Sequence, residues 1–170
     1  MNYTIELAKK GDAKDMLRYL KTIGSESDYL LFGKDGVPMT LEQEEVFLDK
    51  VNKTPYSRMF IIKENNKIIA NGSLQVNPRE RIKHKATIAM SVAKPHWGKG
   101  LGSLLMEALI AYAKSTNFIE TIYLEVVSEN TRAIKLYEKY GFISYGTNRR
   151  AFKVNDTYYD WLLMRLDIKK

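Results

Sequence analysis

The sequence predicts a mixed α/β (α+β) fold, one sheet built from hairpins and from strands joined by helical crossovers. Two short polar turns point to the hairpins: Glu64-Asn65-Asn66 and Asn155-Asp156 each separate two β-rich runs. A long helix beginning at Gly100 carries Leu101, Leu104, Leu105, Ala108, Leu109, Tyr112 and Ala113, one apolar stripe at helical spacing. It stands between two further strands. The resulting order, β-α-α-β-β-β-α-β-α-β-β, mixes hairpins with crossovers.

The elements are justified in turn. Tyr3 to Leu7 alternates in polarity and reads as a first strand. Asp12 is placed to cap a helix carrying Met16, Leu17, Leu20 and Ile23, and Gly24 marks its end. Ser25 to Met39 is rich in turn residues but holds Tyr29, Leu30, Leu31 and Phe32. Thr40-Leu41-Glu42-Gln43 is a capping box, so a second helix runs from there to about Asn52. Arg58 to Ile62 and Lys67 to Ala70 are the first hairpin, and His84 to Val92 is a further strand. After the Gly100 helix come a strand, Thr121 to Val127, and a helix from Asn130 to Tyr140 stopped by Gly141. Two strands around Asn155-Asp156 close the chain, the second running from Tyr158 to Leu166.

Composition narrows the function. The chain has 170 residues, 45% of them hydrophobic and 28% charged, which suits a single globular domain over 1–170. No apolar run approaches the roughly 20 residues that span a bilayer, and the N-terminal residues lack the basic-then-apolar layout of a secretion signal. A cytoplasmic location with no membrane partner is expected. There is no cysteine, which removes disulfides, thiolate nucleophiles and cysteine-ligated metals. With only His84 and His96, no metal site is expected, and both histidines read as surface or structural residues. The net charge of +7 favours an anionic partner, nucleic acid or a phosphorylated cofactor. The basic residues form no long block, which weighs against nucleic acid.

The most informative stretch is Val92-Ala93-Lys94-Pro95-His96-Trp97-Gly98-Lys99-Gly100-Leu101-Gly102. A strand ends, a Gly-rich turn follows and a long helix begins. Glycines at 98, 100 and 102 let the backbone approach a ligand closely. The first helical amides have no internal partner and sit at the positive end of the helix dipole, a site suited to a pyrophosphate, with Lys99 adding charge. Neither a Walker A nor a G-x-G-x-x-G pattern fits. A plain strand-to-helix turn is the alternative.

A second motif follows. Asn130-Thr131-Arg132-Ala133-Ile134-Lys135-Leu136-Tyr137-Glu138-Lys139-Tyr140-Gly141-Phe142 is a short helix whose Asn is a good N-cap and whose Tyr137 shares a face with Ala133 and Tyr140. Pro95 to Gly102, followed about 28 residues later by Asn130-x-x-Ala133-Ile134-x-Leu136-Tyr137-Glu138-Lys139-x-Gly141-Phe142, resembles the GCN5-related N-acetyltransferase (GNAT) superfamily. The two motifs span Met90 to Phe142, and the element order extends the resemblance over nearly the whole chain.

The resemblance implies the GNAT fold: a central, mostly antiparallel twisted sheet of about seven strands flanked by about four helices. It implies acetyl-CoA as cosubstrate, no metal, and transfer of acetyl to a primary amine of a small molecule or peptide N-terminus by direct attack in a ternary complex. It also implies a site. The backbone at Met90, Ser91 and Val92 would pair with the pantetheine arm. The turn from Trp97 through Gly98, Lys99, Gly100 and Leu101 to Gly102, with Ser103 behind it, would hold the pyrophosphate through main-chain amides. Asn130, with Ala133 one turn on, would contact the pantetheine. Tyr137 would lie near the sulfur as general acid. The family opens its turn with Gln or Arg where this chain has Trp97, which leaves the role of that side chain open.

The chemistry also needs a base. Glu125 is the candidate: its spacing to Asn130 and Tyr137 resembles that in ribosomal-protein N-terminal alanine acetyltransferases, and apolar neighbours on both sides would raise its pKa. The alternatives are a solvent-facing strand Glu and a water chain to bulk solvent. Arg149, Arg150 and Asp160 are candidates to line an acceptor pocket, with Tyr29, Phe32, Tyr158 and Tyr159 as its apolar walls. Two other readings stand beside the enzyme: a CoA-binding regulatory module without catalysis, and a basic nucleic-acid-binding protein. Assembly as a homodimer is left open.

Overall fold

The structure, a computed structural model, describes residues 3–169. The elements are β1 (Ile5–Leu7), α1 (Ala13–Glu26), α2 (Leu41–Val51), β2 (Ser57–Glu64), β3 (Lys67–Val76), β4 (Lys85–Val92), α3 (Leu101–Ser115), β5 (Thr121–Val127), α4 (Thr131–Lys139), β6 (Ile143–Val154) and β7 (Thr157–Asp167). They follow the expected order. The strands form one seven-stranded sheet in the order β1-β2-β3-β4-β5-β7-β6. Every neighbouring pair is antiparallel except β4 and β5.

Local signals act as their chemistry dictates. Asn65 and Asn66 adopt φ of 50° and 60°, the consecutive left-handed pair of a tight hairpin turn, which Asn tolerates. At the start of α2 the Gln43 amide N–H donates to Thr40 Oγ1 (3.2 Å) while Gln43 Oε1 accepts from the Thr40 amide (2.9 Å). This closes the capping box in both directions.

Helix α1 departs from expectation at both ends. Asp12 occupies the N-cap, but its side chain makes no cap bond. It is buried instead, accepting from the Lys9 amide (2.9 Å) and pairing with Lys63 (2.7 Å), so it ties α1 to β2. Gly24 does not stop the helix, which continues to Glu26. A Cβ at Gly24 would lie 2.0 Å from the Gly33 carbonyl oxygen. The missing side chain therefore lets the α1–α2 connection fold back against the helix.

Strand alternation divides the core into two layers. On one face, here the front, α1 and α2 bury Met16, Tyr19, Ile23, Leu48 and Val51 against Met59, Ile61 and Ile68. On the back, α3 sets Leu105, Met106 and Leu109 against Ile62, Leu74, Ile88 and Ile122. Helix α4 lies beside α3, where Tyr140 donates to Glu107 (2.7 Å). Among the described residues, no helix packs closely over the front of β5, β7 and β6, which is only partly buried.

Gly24→Ala should lower stability by about 1–3 kcal/mol, since its methyl meets backbone rather than a movable side chain. The urea midpoint should fall at unchanged m-value. An unaltered midpoint would show that the Gly33 segment yields freely.

Candidate active site

The site starts from a defect in the sheet. β4 and β5 pair only from Lys85↔Thr121 to Thr87↔Tyr123. Beyond that they part, because β4 stays registered with β3 up to Val92 and β5 with β7 up to Val127. The phase of the β3–β4 ladder decides which groups are freed. The Ala93 amide donates to the Ile69 carbonyl (2.9 Å), so Ser91 turns its backbone groups to Asn71 on β3. Met90 and Val92 turn theirs the other way, into the opening.

The chain then turns into α3. Gly98 and Gly100 have φ of +76° and +82°, a conformation that L side chains rarely adopt, and a Cβ at either would meet nothing within 4 Å. The amides from Gly98 to Ser103 have no backbone acceptor among the described residues, and the helical ladder resumes with Leu104 donating to Gly100 (3.1 Å). A run of free amides at a helix N-terminus, with open space above it, is a geometry that holds an anion. Lys94 and Lys99 are exposed beside it and form no ion pair among the described residues.

Trp97 is not an idle replacement. Its indole N–H donates to the Val92 carbonyl (2.7 Å), one of the freed groups of β4. The Arg132 guanidinium lies 3.4 Å from the centre of its ring. Arg132 stands in the first turn of α4, so this cation–π contact joins the β4 lip of the opening to the α4 lip.

Asn130 caps α4, its Oδ1 accepting from the Ala133 amide (3.3 Å), which leaves both side-chain N–H groups for a ligand. Tyr137 is buried on the back, in one cluster with Ile88, Leu124 and Met106 and tilted against Phe142 (6.0 Å). Burial pushes its hydroxyl up to about 12.

The front face offers different chemistry. Glu125 is exposed, because alternation sends its apolar neighbours Leu124 and Val126 to the back. Those neighbours therefore do not enclose its carboxylate. Nearby, the Tyr19 hydroxyl and Ser91 Oγ are 2.9 Å apart, and Ser91 Oγ donates to Asn71 Oδ1 (2.6 Å), a polar chain from α1 across β4 to β3. Burial pushes the Tyr19 hydroxyl well above its usual range.

A model of the acetyltransferase (GNAT) family matches residues 26–142. The chain belongs to this family. It is therefore an enzyme, an acyltransferase dependent on acetyl-CoA. It is 24% identical over 157 residues to a spermidine N(1)-acetyltransferase of Vibrio cholerae, covering 92% of this chain and 88% of that one. A GNAT acetyltransferase structure from Streptococcus pneumoniae superposes with a TM-score of 0.94 at 28% identity, covering 98% of this chain and 100% of that one. A putative acetyltransferase of Salmonella typhimurium, solved with acetyl-CoA, gives 0.85 at 17% identity, covering 99% and 95%. Among the described residues no helix is long and apolar enough to cross a membrane, and no three or more acidic or histidine side chains gather to hold a metal.

Within this GNAT frame several sequence expectations change. Ser91 has no free backbone to offer, because its ladder bonds go to β3. The absence of a side chain at Gly102 serves packing, since a Cβ there would lie 2.9 Å from Leu136 on α4. Tyr29 and Tyr159 meet edge-on (6.0 Å), but Phe32 packs under α1. Tyr158 turns to the back, where Arg150 covers its ring (3.9 Å). Asp160 takes the Arg150 amide (2.7 Å) and lies 3.6 Å from Arg149, bracing a bulge in β6. Sequence reading missed Arg132, Phe152 and Trp161; for Trp161, the alternation Tyr159-Trp161-Leu163 was the available signal.

Gly100→Asp should weaken acetyl-CoA binding by at least about tenfold, since it strains a left-handed position and sets a negative charge among the anion-facing amides. Calorimetry measures it, with the urea midpoint as a control for folding. Undiminished affinity would remove the turn from the site.

Proposed function

We propose that the chain is a single-domain N-acetyltransferase that passes acetyl from acetyl-CoA directly to the primary amine of a small molecule or a peptide N-terminus. The observation that carries this reading is the opening between β4 and β5, with free backbone on one lip and a buried tyrosine hydroxyl beneath it. The freed groups of Met90 and Val92 suit an extended chain bearing amides. The amides from Gly98 to Ser103 suit the pyrophosphate, and the Asn130 amide nitrogen suits the pantetheine.

Acetyl-CoA supplies a thioester whose carbonyl carbon takes the amine nitrogen as the C–S bond breaks. The leaving sulfur needs a proton, and Tyr137 is suited to give it: with its hydroxyl held at about 12, it stays protonated at every working pH. The attacking amine must first lose a proton. Glu125, exposed on the front, is the candidate acceptor, with a water chain to solvent as the alternative.

Tyr137→Phe keeps the ring packing and deletes the donor. It should lower kcat roughly 10²–10⁴-fold with little change in acetyl-CoA affinity. An unchanged rate, at a pH where chemistry limits turnover, would reduce Tyr137 to packing. Loss of turnover with intact cofactor binding is also what separates an enzyme from a CoA-binding module.

If Glu125 is the base, kcat/KM should rise with pH through an ionisation that vanishes in Glu125→Gln. An acceptor of low amine pKa removes the confounding titration of the substrate itself. A pH profile unaltered by the substitution for a high-pKa amine would favour the water chain.

A further inference from the structure

The front of β5, β7 and β6, over which no helix packs closely among the described residues, carries a continuous aromatic wall. Phe152 stacks on Tyr159 with ring centres 5.2 Å apart and 17° between planes. Phe152 also meets Trp161 at 5.8 Å. Tyr29, from the α1–α2 connection, closes edge-on against Tyr159 at 6.0 Å. None of the four rings is fully buried. Aromatic side chains of this size ordinarily lie in a core, and here they stand on the front of β7 and β6.

Register places this wall beside the proposed base. Leu163 is the partner of Glu125 and Trp161 that of Val127, so Trp161 is the diagonal front-face neighbour of Glu125, about 7–8 Å away in such ladders. Glu125 forms no ion pair among the described residues. Other carboxylates bordering the wall are committed. Asp160 takes Arg149 and Arg150, Asp167 takes Thr121 and Arg165, and Glu26 takes the Lys94 amide. Among the described residues Glu125, Glu129 and the loop residue Asp28 form no ion pair. What sets Glu125 apart is the stacked rings beside it, a combination that fits an ammonium attached to a flat apolar group.

We propose that the acceptor is an arylalkyl primary amine, its ring seated against Phe152, Tyr159 and Trp161 and its amine beside Glu125. This rests on the acetyl-transfer reading above, and the test separates the two. Thiol release from saturating acetyl-CoA is followed with 2-phenylethylamine, n-hexylamine and spermidine. 2-Phenylethylamine should exceed both others in kcat/KM by about tenfold or more. Phe152→Leu with Trp161→Leu should bring the three within about threefold while the Kd for acetyl-CoA stays unchanged. Independently of turnover, Trp97→Phe leaves Trp161 as the only one of the chain's two tryptophans, and its fluorescence should titrate with 2-phenylethylamine and not with spermidine. Turnover in which spermidine or n-hexylamine matches the aryl amine overturns the proposal and leaves acetyl transfer standing. A Trp161 titration without turnover of any amine supports the ring site and overturns the acetyl-transfer reading. Neither turnover nor titration overturns both.

Discussion

The parting of β4 from β5 is the constraint on which the rest depends. Each strand is held along its length by its other neighbour, β4 by β3 and β5 by β7, and the two touch only from Lys85 to Thr87 and Thr121 to Tyr123. A gap in a sheet exposes backbone donors and acceptors, and a buried unpaired group of that kind is costly. The gap persists because its back is filled: Tyr137, Met106 and Phe142 pack beneath it with Ile88 and Leu124. One freed acceptor, the Val92 carbonyl, is taken by the Trp97 indole. The groups left over on Met90 and Val92 make an edge that a peptide-like ligand can complete.

The turn into α3 depends on the same geometry. β4 ends at the mouth of the gap, so the α3 amides begin where an extended ligand would leave it. The positive φ at Gly98 and Gly100 turns the chain while keeping the space above it clear. The Trp97–Arg132 contact then bridges the lips, because Trp97 is anchored to β4 and Arg132 stands on α4. Family membership is thus expressed less in a set of side chains than in backbone that a parallel strand pair fails to satisfy.

That also explains what the sequence disclosed. Features set by neighbours within a few residues were legible: the Asn65-Asn66 turn, the Thr40–Gln43 capping box, the Asn130 cap, the Gly98–Gly100 turn. Features set by register were not. Ser91 reads like Met90 and Val92 until the Ala93–Ile69 bond fixes the phase of the ladder. Gly24 reads as a helix stop until the Gly33 carbonyl is seen against it. Tyr158 and Tyr159 read alike, yet alternation sends them to opposite faces, and the β6 bulge before Phe152 hides which ring joins Tyr159. The environment of Glu125 is hidden for the same reason, its apolar neighbours in sequence being on the far side of the sheet.

On the proposed mechanism, the two faces also divide the proton chemistry. A proton donor to a leaving thiolate works best where water cannot compete for it, and Tyr137 lies in the buried layer, its hydroxyl held near 12. A group that must shed a proton at each turnover has the opposite need, a path to solvent, and Glu125 is exposed on the front. Exchanging the environments would impair both: a buried Glu125 would lose its path to solvent, and an exposed Tyr137 would share its donor with water. A sheet opened at one point allows both conditions within one site, because a ligand lying in the gap borders the dry layer on one side and the wet face on the other. The alternation of β5 is what holds the two apart, since moving Glu125 by one position would turn it inward beside Leu124 and Val126.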